Sequence, residues 1–151
     1  MAILIVEGDV LQIPRGLIVH GCNAQGVMNS GIAKQVKEQF PNAFDQYRKF
    51  YKCGLGSVNY ALVGDSKFIA NAITQEWYGR EPRRYVSYDA IAHAFEDIDL
   101  WLKRIKNHTG VAMQVHFPAI GAGFGGGNLE IIKTIIDQTI PDEFTKVMHI
   151  V

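Results

Sequence analysis

The sequence predicts a three-layer α/β domain built on a mixed central sheet. Three observations lead there. Short apolar runs alternate with helical patterns at both ends of the chain, and a single hairpin signal sits in the middle. Two glycine-bearing turns each follow an apolar run and lead into a helix. The 151 residues, 48% of them hydrophobic, read as one domain over 1–151 with enough Leu, Ile, Val and Phe for a core.

Each element has its own signal. Ala2–Val6 is an apolar run closed by Glu7-Gly8-Asp9, the pattern of a buried strand ending in a turn. Leu17–His20 is a second run, followed by Gly21-Cys22-Asn23-Ala24-Gln25-Gly26. Ile32, Val36 and Phe40 then fall at helical spacing, with Lys34, Lys37 and Glu38 on the other side. Pro41 either ends that helix or begins the next, which covers about Ala43–Tyr51. Val58–Val63 and Phe68–Ile73 read as strands joined at Gly64-Asp65-Ser66.

Thr74–Arg84 is polar and irregular, and its Trp77 and Tyr78, with Tyr85, suggest a packed flap, although ordinary loop packing explains them equally well. Ser87 suits the N-cap of a helix to about Lys106, with Ile91, Phe95, Ile98, Leu102 and Ile105 as its apolar stripe and Gly110 after its end. Val111–Phe117 is a further strand. It runs into Pro118-Ala119-Ile120-Gly121-Ala122-Gly123-Phe124-Gly125-Gly126-Gly127, after which Asn128 caps a helix through Asp137. Lys146–Val151 is the last strand.

Composition narrows the function. Lys+Arg and Asp+Glu are equal at 15 each, so no global field holds a polyanion or a membrane surface. A small anion held by local main-chain groups is fully compatible with that balance. Cys22 and Cys53 have no metal-ligand spacing and make a poor disulfide framework, so reduced thiols in a cytoplasmic protein are expected. The first residues read as a strand and not as a signal peptide, and no apolar run nears the roughly 20 residues a bilayer span needs. No metal and no cofactor are implied. With no amphipathic segment left over, a monomer is expected.

The window Gly121–Gly127 holds five glycines in seven residues between a strand and a capped helix. Glycine lets main-chain N–H groups approach an anion without Cβ collisions, and the following helix N-terminus adds positive potential. A flexible surface loop explains an isolated cluster equally well. Position favours a site, because ligands collect at the carboxyl ends of strands in α/β sheets. His20–Gly31 occupies the same kind of place. Asn23 there suits a ribose hydroxyl, or alternatively a local Asx-turn. Two such turns are what clamping a diphosphate from both sides requires. Neither turn has the Gly-x-x-x-x-Gly-Lys-Ser/Thr pattern of a P-loop, and the late cluster leaves too little chain for a dinucleotide-binding βαβ unit.

Three blocks together resemble the macro domain family over essentially the whole chain. They are Gly8-Asp9-Val10, then His20-Gly21-Cys22-Asn23 through Gly31-Ile32-Ala33, and Pro118-Ala119-Ile120-Gly121-Ala122-Gly123-Phe124. The Gly-Ile-Ala and Ile-Gly-Ala-Gly stretches resemble the branch with ADP-ribose-1″-phosphate phosphatases and enzymes that remove ADP-ribose from acidic side chains or DNA bases. The resemblance implies a three-layer α/β/α macro domain. It implies that Asp9 reads the adenine amino group beside the Val10 N–H, and that Asn23 holds the distal ribose. It also implies that main chain of Met28, Asn29, Ser30, Gly31, Ile32 and Ala33, facing Gly121–Phe124, wraps the diphosphate.

Two departures bear on catalysis. De-ADP-ribosylating members of that branch place a lysine just after the middle strand, where this chain has Thr74-Gln75-Glu76. An acidic residue of the second loop would fall near Gly125 or Gly126. Both departures argue against a lysine-dependent covalent mechanism. Asn23 and His20 remain as catalytic candidates, although a histidine at a strand end is more often structural. Asp89, in a helix first turn, is explained by the dipole. Gln75 and Glu76 can face the pocket from the flap.

The sequence therefore supports hydrolysis of ADP-ribose-1″-phosphate to ADP-ribose and phosphate. Loop amides would stabilise the phosphoryl charge, and a water oriented by Asn23 or His20 would attack. The alternatives are a reader of free or macromolecule-linked ADP-ribose without chemistry, and an ADP-ribosyl hydrolase working without the lysine. A poly(A)- or RNA-binding domain is disfavoured by the neutral charge.

Overall fold

The computed structural model describes residues 3–122 and 125–151. Six strands form one sheet: β1 (Leu4–Glu7), β2 (Gly16–Asn23), β3 (Val58–Gly64), β4 (Lys67–Gln75), β5 (Val115–Phe117) and β6 (Lys146–Ile150). Four helices accompany them: α1 (Gly31–Gln39), α2 (Pro41–Phe50), α3 (Tyr88–Thr109) and α4 (Leu129–Thr139). Short 3₁₀ turns lie at Val10–Gln12 and Tyr51–Cys53. The sheet order is β1-β6-β5-β2-β4-β3, parallel throughout except for the β3–β4 hairpin. The expected three-layer mixed-sheet α/β architecture is therefore the observed one.

Alternation along the strands divides the core. On β2, Leu17 and Val19 face the cluster containing Phe95, Ile98 and Leu102 of α3 and Ile132 and Ile136 of α4. Ile18 and Cys22 face the opposite cluster, with Val36 of α1 and Ala43 and Tyr47 of α2. Because β2, β4, β5 and β6 all point the same way, their carboxyl ends lie along one edge. Both glycine-bearing loops start from that edge.

Pro41 occupies the first turn of α2, so it opens the second helix instead of ending the first. Asn128 and Ser87 cap α4 and α3 as expected. Three expectations need correction. The first strand is not buried: Leu4, Ile5 and Val6 are exposed, because β1 is an edge strand paired with β6 alone among the described strands. The strand expected over Val111–Phe117 shortens to Val115–Phe117, and Val111 lies in solvent. Thr74 and Gln75 belong to β4, which continues past Ile73 alongside Asn23. Among the described residues no helix is long and apolar enough to cross a membrane.

Candidate functional site

A cavity of about 540 Å³ opens at the carboxyl edge of β2, β4 and β5. One wall runs from Gly21, Cys22 and Asn23 through Val27 to Asn29, Ser30, Gly31, Ile32 and Ala33 at the start of α1. Pro118, Ala119, Ile120 and Gly121, with Gly125, form the facing wall. A third wall comes from Thr74 and Gln75 and from Tyr78, Gly79 and Arg80 beyond β4. The two loops singled out in the sequence are thus brought face to face across one space.

The first wall presents a helix N-terminus that has no side-chain cap among the described residues. Ser30 is the N-cap of α1, extended at φ −151°, and its hydroxyl makes no capping bond. Lys34 N–H to Ser30 O, at 3.3 Å, is the first bond of the helical ladder. The N–H groups of residues 31, 32 and 33 come before it and have no intrahelical acceptor, and all three residues line the cavity. Such an end suits an anion.

The sequence pointed instead to the helix after the glycine cluster, and the structure corrects this. Asn128 Oδ1 accepts from Glu130 N at 2.9 Å and Ile131 N at 3.2 Å, so the amino end of α4 is already occupied. No α4 residue lines the cavity.

The second loop is shaped by its own packing. Gly127 N–H donates to Gly121 O at 2.7 Å, closing the turn, and Tyr85 and Val86 N–H both donate to Gly125 O. Gly121 has φ +73°, and a Cβ there would sit 2.7 Å from Val86 Cγ2. Close approach to Tyr85 and Val86 therefore requires glycine at 121 whatever the ligand. Ala122 belongs to this turn without lining the cavity. Gly123 and Phe124 lie outside the described residues.

Asn23 makes the Asx-turn that the sequence offered as one reading. It lines the cavity, and its side chain also folds the loop: Nδ2 donates to Val27 O at 2.8 Å while Oδ1 accepts from Gln25 N at 2.9 Å. His20 is wholly buried and does not line the cavity. Its Nε2 lies 2.6 Å from Asn71 Oδ1, and Asn71 in turn donates to Ala43 O and Asn59 Oδ1. Burial lowers the His20 pKa to about 4, against a smaller upward pull from Asn71. Burial pushes the Cys22 thiol up, so it stays protonated.

The remaining expected residues spread further. Asp9 is exposed after β1, where Oδ1 accepts from Leu11 N at 2.9 Å and caps the first 3₁₀ turn. Gly8, Asp9, Val10 and Met28 do not line the cavity, and Val10 and Met28 are core residues. Gln75 lines the cavity, whereas Glu76 sits outside it and accepts from Gln25 Nε2 at 3.1 Å.

Thr74, Tyr78, Gly79 and Arg80 were not singled out as site residues. Thr74 is buried, and its hydroxyl has no partner among the described residues. Arginine and tyrosine together in a polar segment right after a strand were the available signal. Among the described residues no group of three or more His, Cys, Asp or Glu is placed to hold a metal.

The family profile for the macro domain matches residues 19–136. The chain belongs to the macro domain family. It is 31% identical over 145 residues to the DNA ADP-ribosyl glycohydrolase of Mycobacterium tuberculosis, covering 90% of this chain and 39% of that protein. It is 39% identical over 61 residues to the ADP-ribose 1″-phosphate phosphatase of Aspergillus fumigatus, covering 40% of this chain and 30% of that protein. The chain thus spans well under half the length of both curated relatives. A macrodomain protein structure from Streptomyces coelicolor superposes with a TM-score of 0.80 at 22% identity, covering 99% of each chain. That macro fold is α/β, like the sheet and layers described above.

Proposed function

We propose that this macro domain binds ADP-ribose in the cavity and hydrolyses the group carried at C1″ of the distal ribose, with the phosphate of ADP-ribose-1″-phosphate as first candidate. One observation carries the reading: the uncapped amino end of α1 faces the 118–121 loop across a single cavity. Main-chain donors on one side and a close-packed glycine turn on the other suit a pyrophosphate without any lysine. Both relatives are named for chemistry on ADP-ribose or an ADP-ribosyl group, which supports the ligand.

In this reading the distal ribose lies toward Asn23, and the group on C1″ points to the wall made by Thr74, Tyr78 and Arg80. Donors around the departing phosphate stabilise the charge that develops as water attacks. His20 supports β2 beneath the loop and takes no proton from the reaction, since it is sealed from the cavity.

A second reading has the segment after β4 behind it. Trp77 and Tyr78 are more than half exposed, and Tyr78 lines the cavity. Arg83 lies 4.3 Å over the Tyr85 ring and Arg84 lies 4.4 Å over Tyr88. Interleaved aromatics and arginines suit a nucleic acid strand attached at C1″. The glycohydrolase match, which spans nine-tenths of this chain, favours the same substrate.

Calorimetric titration with ADP-ribose tests the binding. Phosphate release from ADP-ribose-1″-phosphate and ADP-ribose release from an ADP-ribosylated oligonucleotide then separate the two activities. Tight binding with neither product leaves a reader module, and absence of ADP-ribose binding rejects the proposal.

A further inference from the structure

Asn23 ends β2 where the register against β4 shifts after Cys22. The two ends of its side-chain amide have opposite hydrogen-bonding chemistry, and the surroundings decide which end goes where. Main-chain N–H groups of Gln25 and Val27 reach one atom, at 2.9 and 3.4 Å, and the Val27 carbonyl lies 2.8 Å from the other. Donors need an acceptor and a carbonyl needs a donor, which fixes Oδ1 toward the N–H groups and Nδ2 toward Val27 O. A flipped amide would set N–H against N–H and oxygen against oxygen.

Tyr47 strengthens this choice from beneath. It is fully buried on α2, and its hydroxyl lies 2.9 Å from Asn23 Oδ1 and 2.8 Å from Asn23 O. Both neighbours are acceptors, so the phenol shares its one proton between the Asn23 main-chain O and Oδ1. Burial also pushes the phenol pKa up, which keeps that proton in place. Oδ1 then meets two main-chain N–H donors and a share of the phenol proton. One Nδ2 hydrogen goes to Val27 O, and the other is all that the amide has left.

We propose that Tyr47 is a positioning residue that locks the Asn23 amide, so that Asn23 offers the cavity one N–H donor and no acceptor. The inference rests on the ADP-ribose reading and specifies what Asn23 does within it. The ligand atom it meets is an oxygen lone pair, assigned here to a hydroxyl of the distal ribose. A donor-only amide accepts no proton from an attacking water, so Asn23 binds and orients but does not activate. This narrows the catalytic part expected of Asn23 to binding and orientation.

The test compares two ligands, ADP-ribose and ADP, which lacks the distal ribose. Tyr47→Phe is expected to weaken ADP-ribose about fivefold, the size of one lost hydrogen bond, and to leave ADP unchanged. Equal weakening of both ligands means a merely structural tyrosine and overturns the inference, as does unchanged ADP-ribose affinity. In an Asn23→Ala background, Tyr47→Phe is expected to add nothing further.

Asn23→Asp is the second variant: it keeps the inward acceptor, replaces both Nδ2 hydrogens with a charged oxygen beside Val27 O, and its ADP binding reports whether it has folded. It is expected to lose at least about tenfold in ADP-ribose affinity while retaining ADP. Full ADP-ribose affinity in that variant overturns the inference. If the unaltered protein fails to bind ADP-ribose, the proposed function falls, and this inference falls with it.

Discussion

The amino ends of α1 and α4 follow loops of the same kind, each leaving a parallel strand at the same edge, yet they end differently. At α4, Asn128 takes up two N–H groups, and the end is closed within its own chain. At α1, Ser30 makes no capping bond, and the first N–H groups remain available on the cavity wall. The glycines differ in the same sense. A Cβ at Gly31 would meet nothing within 4 Å, whereas one at Gly121 would strike Val86. One loop is kept open for a ligand, and the other is packed so that it can face one.

Acid tests the supports of both loops and has the largest expected effect. β2 carries His20 and β5 carries His116, and burial lowers each pKa to about 4, with His149 opposing charge on His116 as well. Between about pH 6.5 and 4 the unfolded chain binds protons that the native chain does not, so stability is full above 6.5 and falls toward 4. The wholly buried His20 contributes on the order of 3 kcal/mol of that fall. Urea unfolding across this range is expected to show the slope, reduced in His20→Asn; a flat profile would contradict the buried neutral imidazole.

Next in size is Gly121→Ala, which combines left-handed strain with a clash at Val86 and is expected to cost about 2–3 kcal/mol. Gly31→Ala carries a positive φ of 59° without a clash, so about 1 kcal/mol is expected. Equal costs in thermal unfolding would erase the contrast between an open loop and a packed one.

Ile32→Pro removes one N–H from the first turn of α1, where proline is tolerated, and is expected to lower ADP-ribose affinity about tenfold in calorimetry with α1 intact. Asn128→Ala, the smallest effect, is expected to cost about 1 kcal/mol of stability and to leave ADP-ribose affinity unchanged. Should Asn128→Ala weaken binding while Ile32→Pro does not, the two helix ends have been assigned the wrong way round.

Much of this was legible along the chain. Asn128 and Ser87 were readable as caps because capping depends on a few neighbouring residues. The glycine turns were readable because strand, glycine and helix follow one another directly. The closed end of α4 was not deduced, although the capping residue had been recognised, because one side chain taking two N–H groups is settled by distance. Thr74, Tyr78 and Arg80 escaped for a different reason. Their place in the wall depends on β4 pairing beside β2 and on Tyr85 and Val86 bonding to Gly125, contacts between segments far apart in sequence.

The sequence by itself determined the kinds of element, their order and the positions of the glycine turns, because apolar periodicity, capping and glycine act over a few residues. Tertiary structure decided that β2 lies between β4 and β5, that β1 is an exposed edge, and which helix end opens into the cavity. Those outcomes depend on which surfaces pack together, and no local preference encodes that.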